Sequence, residues 1–567
     1  MKEWTWKTAV VGALLAIAGA ASILCAQQPP ADQILTNGKI ITVDDRFTIA
    51  QAVAISGDRI VAAGTNQEIT RLAGPDTKRI DLKGKSVIPG LIDNHAHLMR
   101  GGETWTSEVR LDGVESRKQS VEMLRAKVKT LAPGEWLFTL GGWSRDQFTD
   151  DKKPFTLEEL DQIAPNNPAA LQEAFGSKLP PGVIHLNSRA IQTIGIDKMT
   201  DKWIERDAAG KPTGLVEQED GVRVVAGKIP AASREKIEAS ERGMIRDLNQ
   251  AGLTAFGNPG CPEDLLELYR HWEKQGQLNI RAFCMDSVPA GRGADQVTKA
   301  LPLISKIKFF QGDDYVDKIL YGEGFYGPAS DNMLDVKPDQ KPEDFVQWGR
   351  IAREVAKAGM PVQAHATLEA TIDGFLDQIE QINKEYPVKN LRWALIHLDQ
   401  LNASQLERMK KLNLYAAVQT RPSITGQLFN RIHGDRSYDM PPLRMVQNSG
   451  IMWGLGTDAT VVNQYRPMTT LWFAVTGKMV GGIVVNGQTI SREDALIAHT
   501  RRNAFFIFQE DNLGSIQPGK LADLVVLDRD YLTVPADQIK DIRPLMTMVG
   551  GRIVYDAGAQ AQGPVLK

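Results

Sequence analysis

Short apolar runs alternate with longer amphipathic stretches over roughly 400 residues of this chain, and most of the runs end on a polar residue. Residues 233–252 have helical periodicity, with Ser233 placed to cap the start and Gly252 past the end, and residues 253–257 follow as a strand. The scheme recurs. A helix over 342–359 precedes the run 360–365, a helix over 368–386 precedes 392–397, and further runs come at 414–419 and 451–458. Alternation on this scale predicts a parallel α/β architecture, and a (β/α)8 TIM-type barrel fits the length. The two ends of the chain read differently. Residues 33–42, 50–56 and 58–64 are rich in Val and Ile with near alternation, broken by Asn37-Gly38 and Gly57-Asp58, and the texture returns at 520–528 and 546–555. Strands at both ends predict a discontinuous β-sandwich domain, with its first part at 31–88 and its second at 513–560. The barrel then occupies 89–512, interrupted by an insertion at about 103–232.

Composition narrows the partners. A chain of 567 residues, 42% hydrophobic and 24% charged, can bury a large core. Its net charge of −3 and lack of a basic run exclude nucleic acid as a ligand and leave a small-molecule substrate. Three cysteines make no disulfide framework, so Cys261 and Cys284 read as buried thiols. At the N-terminus, Lys2 and Lys7 precede the uncharged stretch 8–26, and Gln27-Gln28-Pro29-Pro30 follows. This predicts a signal peptide over 1–26 and an exported protein, periplasmic or secreted, that meets the membrane only in transit. At 19 residues the stretch also nearly matches a bilayer, so an N-terminal membrane anchor is the alternative. The oligomeric state is open, a homo-oligomer included.

The chemistry gathers at the strand ends. In His95-Ala-His97 two imidazoles two residues apart close the apolar run that starts at Val87, and alternation along a strand sends both to the same side. Lys318, His365, His397 and Asp458 likewise follow or close strand-like segments. In a parallel barrel the C-terminal strand ends converge on one face, so a single pocket would collect all six as a divalent-metal site. Two weaker candidates concern substrate binding: Trp143 as a stacking surface in the insertion, against simple packing, and Arg421 as a carboxylate grip, against a salt-bridged arginine.

These residues resemble the metal-dependent amidohydrolase superfamily, most closely its amidohydrolase family 3 branch of YtcJ-like and N-substituted formamide deformylase-like enzymes. The matching motifs include Val87-Ile-Pro-Gly-Leu-Ile-Asp-Asn-His-Ala-His97, Gly141-Gly-Trp143, Asn187-Ser-Arg-Ala190, Gln363-Ala-His-Ala366, Leu395-Ile-His397, Gly454-Leu-Gly-Thr-Asp458 and Leu513-Gly-Ser-Ile-Gln-Pro-Gly-Lys520. The resemblance implies a barrel flanked by a β-sandwich, one or two divalent ions, zinc first among them, and hydrolysis of amide-type, non-peptide C–N bonds. By position it implies His95, His97, His365, His397 and Asp458 as metal ligands, with Asp458 also the catalytic proton carrier. Lys318 falls where related enzymes carry a lysine that is carbamylated to bridge two ions. The following Gly322-Glu-Gly324 departs from the family's pattern and makes Glu323 a rival. A deaminase, or a hydrolase of cyclic amides or esters, would use the same site, and a non-catalytic scaffold is the reading from another class.

Overall fold

In the computed structural model of the protein, which describes residues 29–174, 183–288, 290–332 and 339–560, eight parallel strands form the central sheet in chain order. They are β1 (Leu91–Asp93), β2 (Leu253–Pro259), β3 (Arg281–Asp286), β4 (Val316–Glu323), β5 (Val362–Ala366), β6 (Trp393–His397), β7 (Tyr415–Gln419) and β8 (Trp453–Gly456). The ladder runs from β1 to β8, and side chains hold the remaining seam of a nearly closed barrel. Asn503 Nδ2 donates to the carbonyls of Ile92 and Leu455 at 2.6 and 2.7 Å. Asp93 accepts from the Thr457 hydroxyl at 2.6 Å. A fully buried asparagine is thus explained: it satisfies backbone carbonyls of the first and last strands that would otherwise be stranded.

Local signals set the phase of the barrel. β1 leads into α1 (Leu98–Gly102), and the helix before β2 is α2 (Arg234–Gln250). The Ser233 side chain accepts from the Lys236 amide at the start of α2, and Gly252 takes a φ of +87° after its end, a left-handed turn that suits glycine. β6 and β8 are buried along their whole length, as befits strands covered by helices outside and core inside. β3 has no counterpart in the sequence reading, because Arg281 and Asp286 bracket a run of only four apolar residues.

Two further sheets stand beside the barrel. A four-stranded one is built from residues 31–81, and a six-stranded one joins Lys39–Ile41, Ile49–Ala50 and Ser86–Pro89 to the C-terminal strands Leu524–Leu527, Pro544–Val549 and Arg552–Asp556. Leu35, Val53, Val87, Leu524 and Met548 bury one shared core between them. A bidentate ion pair fastens this unit to the barrel: Arg281, the first residue of β3, meets Asp523 with both contacts at 2.9 Å, fully buried.

Between β1 and β2 the chain also builds a five-stranded sheet within 137–217. This insertion leans on the loop after β8. The Gly142 amide donates to the Val461 carbonyl at 2.9 Å, and a Cβ at Gly141, where φ is +85°, would stand 2.2 Å from that oxygen. Trp143, the next residue, is fully buried, stacks on Phe148, and donates from Nε1 to Thr139 at 3.1 Å. It packs the insertion's core and is not a substrate-stacking surface, since a ligand cannot reach a side chain enclosed on every side.

The cysteines also correct the sequence reading: Cys261 and Cys284 are joined in a disulfide between the loop after β2 and the middle of β3. The expected signal peptide, 1–26, lies outside the described residues, and no described helix is long and apolar enough to cross a membrane.

Candidate metal centre

At the C-terminal mouth of the barrel, four histidines surround one carboxylate. His95 and His97 follow β1, Glu323 ends β4, His365 lies in β5 and His397 ends β6. Glu323 Oε1 lies 2.8 Å from His365 Nδ1 and 3.1 Å from His397 Nε2. Its Oε2 lies 3.4 Å from His97 Nε2 and 3.7 Å from His95 Nε2. Two triads that could each hold an ion, His95–His97–Glu323 and Glu323–His365–His397, therefore share this single side chain. Each carboxylate oxygen faces a different pair, which is the geometry of a bridging ligand.

The outer contacts decide which imidazole nitrogen faces inward. Gln419 Oε1 accepts from the His397 backbone amide at 2.8 Å, so the same oxygen, 2.9 Å from His397 Nδ1, takes the ring proton there and leaves Nε2 as a lone pair toward the centre. His365 is turned the other way. Its Nε2 donates to Asp331 at 2.9 Å, and Asp331 is fixed by the backbone amides of Thr367 and Leu368, so Nδ1 faces Glu323. His95 has neither anchor. Both of its ring nitrogens are buried without a hydrogen-bond partner among the described residues. Leaving buried polar atoms unsatisfied is costly, and an ion between His95, His97 and Glu323 is the partner this donor set fits.

Asp458, beyond β8, closes the ring of candidate ligands. Its Oδ1 is 3.4 Å from His97 Nε2, and its Oδ2 is 3.6 Å from Arg421 Nη1. Burial pushes the Asp458 carboxyl up, but the neighbouring histidines outweigh it and hold the group below its ordinary value, hence ionised at neutral pH. Burial together with the Arg421 and His365 charges pulls His397 down to about 3, leaving the neutral imidazole that a metal takes. For His365, burial is outweighed by Asp331 and Glu323, which push it up to about 10, so an ion taken at Nδ1 would displace the proton held there against Glu323. His397 and Asp458 both adopt left-handed backbone, with φ of +73° and +64°. Non-glycine residues rarely do so, and such outliers concentrate where structure is committed to a site.

Arg421 lines the same cavity of ≈ 330 Å³, but its fork is engaged by Asp399 and Asp458. It lies against Asp458, and a substrate carboxylate would have to displace Asp399 to reach it. Lys318 is the larger correction. It stands five residues before Glu323, about 16 Å along the strand at roughly 3.3 Å per residue. Its Nζ pairs with Glu263 at 2.7 Å and Asp286 at 3.5 Å instead. Burial lowers its pKa, yet these carboxylates raise it on balance, which opposes the neutral amine that carbamylation requires. Glu323 occupies the position between the histidine pairs that the sequence reading first gave to a modified Lys318. Asp331 and Gln419 escaped that reading altogether, since neither stands in a pattern that marks it.

Three comparisons bear on this arrangement. The model of the amidohydrolase family matches residues 78–555. The chain is 26% identical over 547 residues to the N-substituted formamide deformylase of Arthrobacter pascens, an alignment that covers 93% of this chain and 98% of the relative. Among solved structures, an uncharacterized metal-dependent hydrolase from Pyrococcus furiosus superposes with a TM-score of 0.61 at 23% identity, covering 88% of this chain and all of that one. An adenosine deaminase from Xanthomonas campestris, solved with bound zinc, gives 0.52 at 14% identity over 94% of this chain and 97% of its own. These superpositions reflect the fold, whereas the family match spans the barrel with its histidine centre, the end of the first sandwich part and the C-terminal sandwich strands. The chain belongs to the amidohydrolase family, metal-dependent hydrolases of non-peptide carbon–nitrogen bonds.

Proposed function

We propose that this enzyme hydrolyses the amide bond of a small N-acyl compound, of which N-substituted formamides are the first class to try, using zinc held by His95, His97, Glu323, His365, His397 and Asp458. One observation carries the reading: two triads share Glu323, and His95 is left with buried ring nitrogens that no group among the described residues hydrogen-bonds. An imidazole-rich set with carboxylates suits zinc. The chemistry supplied by such an ion, when bound, is to lower the pKa of a water and to polarise a carbonyl.

The chain's own groups do the rest. Asp458, ionised and at the cavity wall, accepts the proton released as water attacks the carbonyl carbon, then returns it to the departing nitrogen. Arg421 keeps Asp458 oriented through these two steps. Asp331 and Gln419 hold the tautomers of His365 and His397. The volume of ≈ 330 Å³ suits a small molecule better than a polymer. Deamination would use the same groups, and ammonia release from an amino-substituted ring distinguishes it from amide cleavage.

Export fits the disulfide between Cys261 and Cys284, since such bonds persist in oxidising compartments. Elemental analysis of the purified chain together with turnover of N-substituted formamides tests the function. Zinc with formamide cleavage supports it, and a metal-replete chain that binds no divalent ion sinks it. Mass and fractionation of the mature protein decide between removal of residues 1–26 and retention as an anchor.

A further inference from the structure

The charged side chains of the cavity are engaged with one another, with one exception. Arg421 is held by Asp399, and the histidines by Glu323, Asp331 and Asp458. Arg100 lines the same cavity, is exposed, and has no hydrogen bond or ion pair among the described residues. Its place is fixed by the segment that carries the metal ligands. α1 has His97 at its N-cap, and Arg100 follows three residues later. Residues three apart on a helix are neighbours, with Cβ atoms about 5–6 Å apart. A group bound at His97 therefore sits roughly one helical turn from the base of the Arg100 side chain, whose nearest charge on its own helix end is Glu103.

Resting on the hydrolase reading above, we propose that Arg100 selects substrates that carry an anionic group, a carboxylate or its equivalent, a few atoms from the scissile carbonyl. The planar fork of arginine suits a carboxylate, and with no ion pair or hydrogen bond among the described residues it needs none of them displaced before it binds one. This sets it apart from Arg421, whose engagement with Asp399 disqualifies it from the role. Val461 and Val462 line the cavity too and supply an apolar wall for the rest of the substrate. The preferred ligand is then an N-acyl amino acid or a similar small amide acid rather than a neutral amide.

The test uses the full-length, zinc-loaded enzyme and matched probes: a panel of N-formyl and N-acetyl amino acids, each against its C-terminal carboxamide. Wild type is expected to prefer the acids. R100Q should raise KM for the acids about tenfold or more beyond any change for the amides, with kcat little altered, and R100K should restore part of the difference. Added salt should erode the acid preference of wild type and leave that of R100Q unchanged, because the interaction is an exposed charge pair. Equal effects on both members of each pair, or wild-type preference for the amides, overturn the proposal. Turnover of neutral formamides with no turnover of the acids overturns this proposal alone, whereas no turnover of any probe removes the hydrolase reading with it.

Discussion

Two buried clusters in this protein put a histidine against a carboxylate, and they differ in how many histidines share that carboxylate and in whether a guanidinium answers it. In the insertion, His185 Nε2 lies 2.8 Å from Glu173 Oε1, and Arg145 Nε lies 2.9 Å from the same oxygen. One carboxylate there answers a guanidinium and an imidazole, and burial of Glu173 is outweighed by His185 and Arg145, which hold its pKa below the ordinary value. At the barrel mouth four histidines crowd around Glu323, and neither ring nitrogen of His95 has a hydrogen-bond partner among the described residues. The first cluster sets one carboxylate against one imidazole and one guanidinium, although Arg145 Nε makes no aligned hydrogen bond among the described residues. The second gathers four imidazoles on one carboxylate, the donor set of an ion. The number of imidazoles that converge on the carboxylate, and not the mere meeting of His with Glu, separates the two.

Breaking each carboxylate gives the largest contrast. Glu323→Gln should abolish zinc retention at both triads and lower kcat/KM by about 10³-fold or more, with the chain still folded, as elemental analysis, kinetics and circular dichroism would show. Glu173→Gln should leave the metal content unchanged and instead cost about 1–3 kcal/mol of stability in urea, because it takes the charged partner from the half-buried Arg145 and the buried His185. Metal loss from the Glu173 variant, or retention by the Glu323 variant, would reverse the assignment.

Chelation sharpens the same difference. An ion that binds only the folded state stabilises it by about 4 kcal/mol when present at 1,000 times its Kd. Removing zinc should therefore lower the unfolding midpoint of the wild type and leave that of the Glu323 variant nearly unmoved. The insertion cluster should instead report acid. Because its folded-state pKa is depressed, Glu173 contributes stability that is fully present above its ordinary value of 4.5 and lost as pH falls through the lower folded value. The wild type should lose stability in that acid window more steeply than Glu173→Gln does; parallel curves would rule out the linkage.

Next in size is the support around the centre. Asp331→Asn keeps a hydrogen-bonding group but removes the charge that fixes His365 Nε2, and should weaken zinc affinity about 10–100-fold. A change confined to kcat with affinity intact would mean that Asp331 does something other than orient His365.

How much of this was legible in the sequence follows from where each residue stands. His95, His97, His397 and Asp458 close or follow apolar runs, a pattern visible before folding, and His365 lies one residue from the end of its own strand. The barrel and the two-ended sandwich were legible for the same reason, since period and punctuation carry them. Glu323 also closes its strand, and strand length alone would have ranked it above Lys318, whose position five residues earlier cannot reach the mouth. Asp331 stands in a loop and Gln419 in an ordinary polar position, and neither periodicity nor spacing marks a residue that acts by holding another. Trp143 after two glycines reads the same whether exposed or enclosed. The link between Cys261 and Cys284 depends on β2 and β3 lying side by side, a proximity that their separation of 23 residues does not reveal.

The smallest expected effect is the one that most directly tests Glu323 as the shared ligand. Lys318→Ala removes the ion pairs to Glu263 and Asp286, both of which are partly exposed, so the cost should be no more than about 1 kcal/mol. Zinc stoichiometry should stay as in the wild type, and so should kcat/KM within about threefold. If two ions per chain fell to one in this variant, or if added bicarbonate changed wild-type metal uptake and not that of the variant, a carbamylated lysine would have to reach the centre by a rearrangement of β4. If neither happens, whatever ions the centre binds depend on a carboxylate encoded in the chain, and their binding is independent of carbon dioxide.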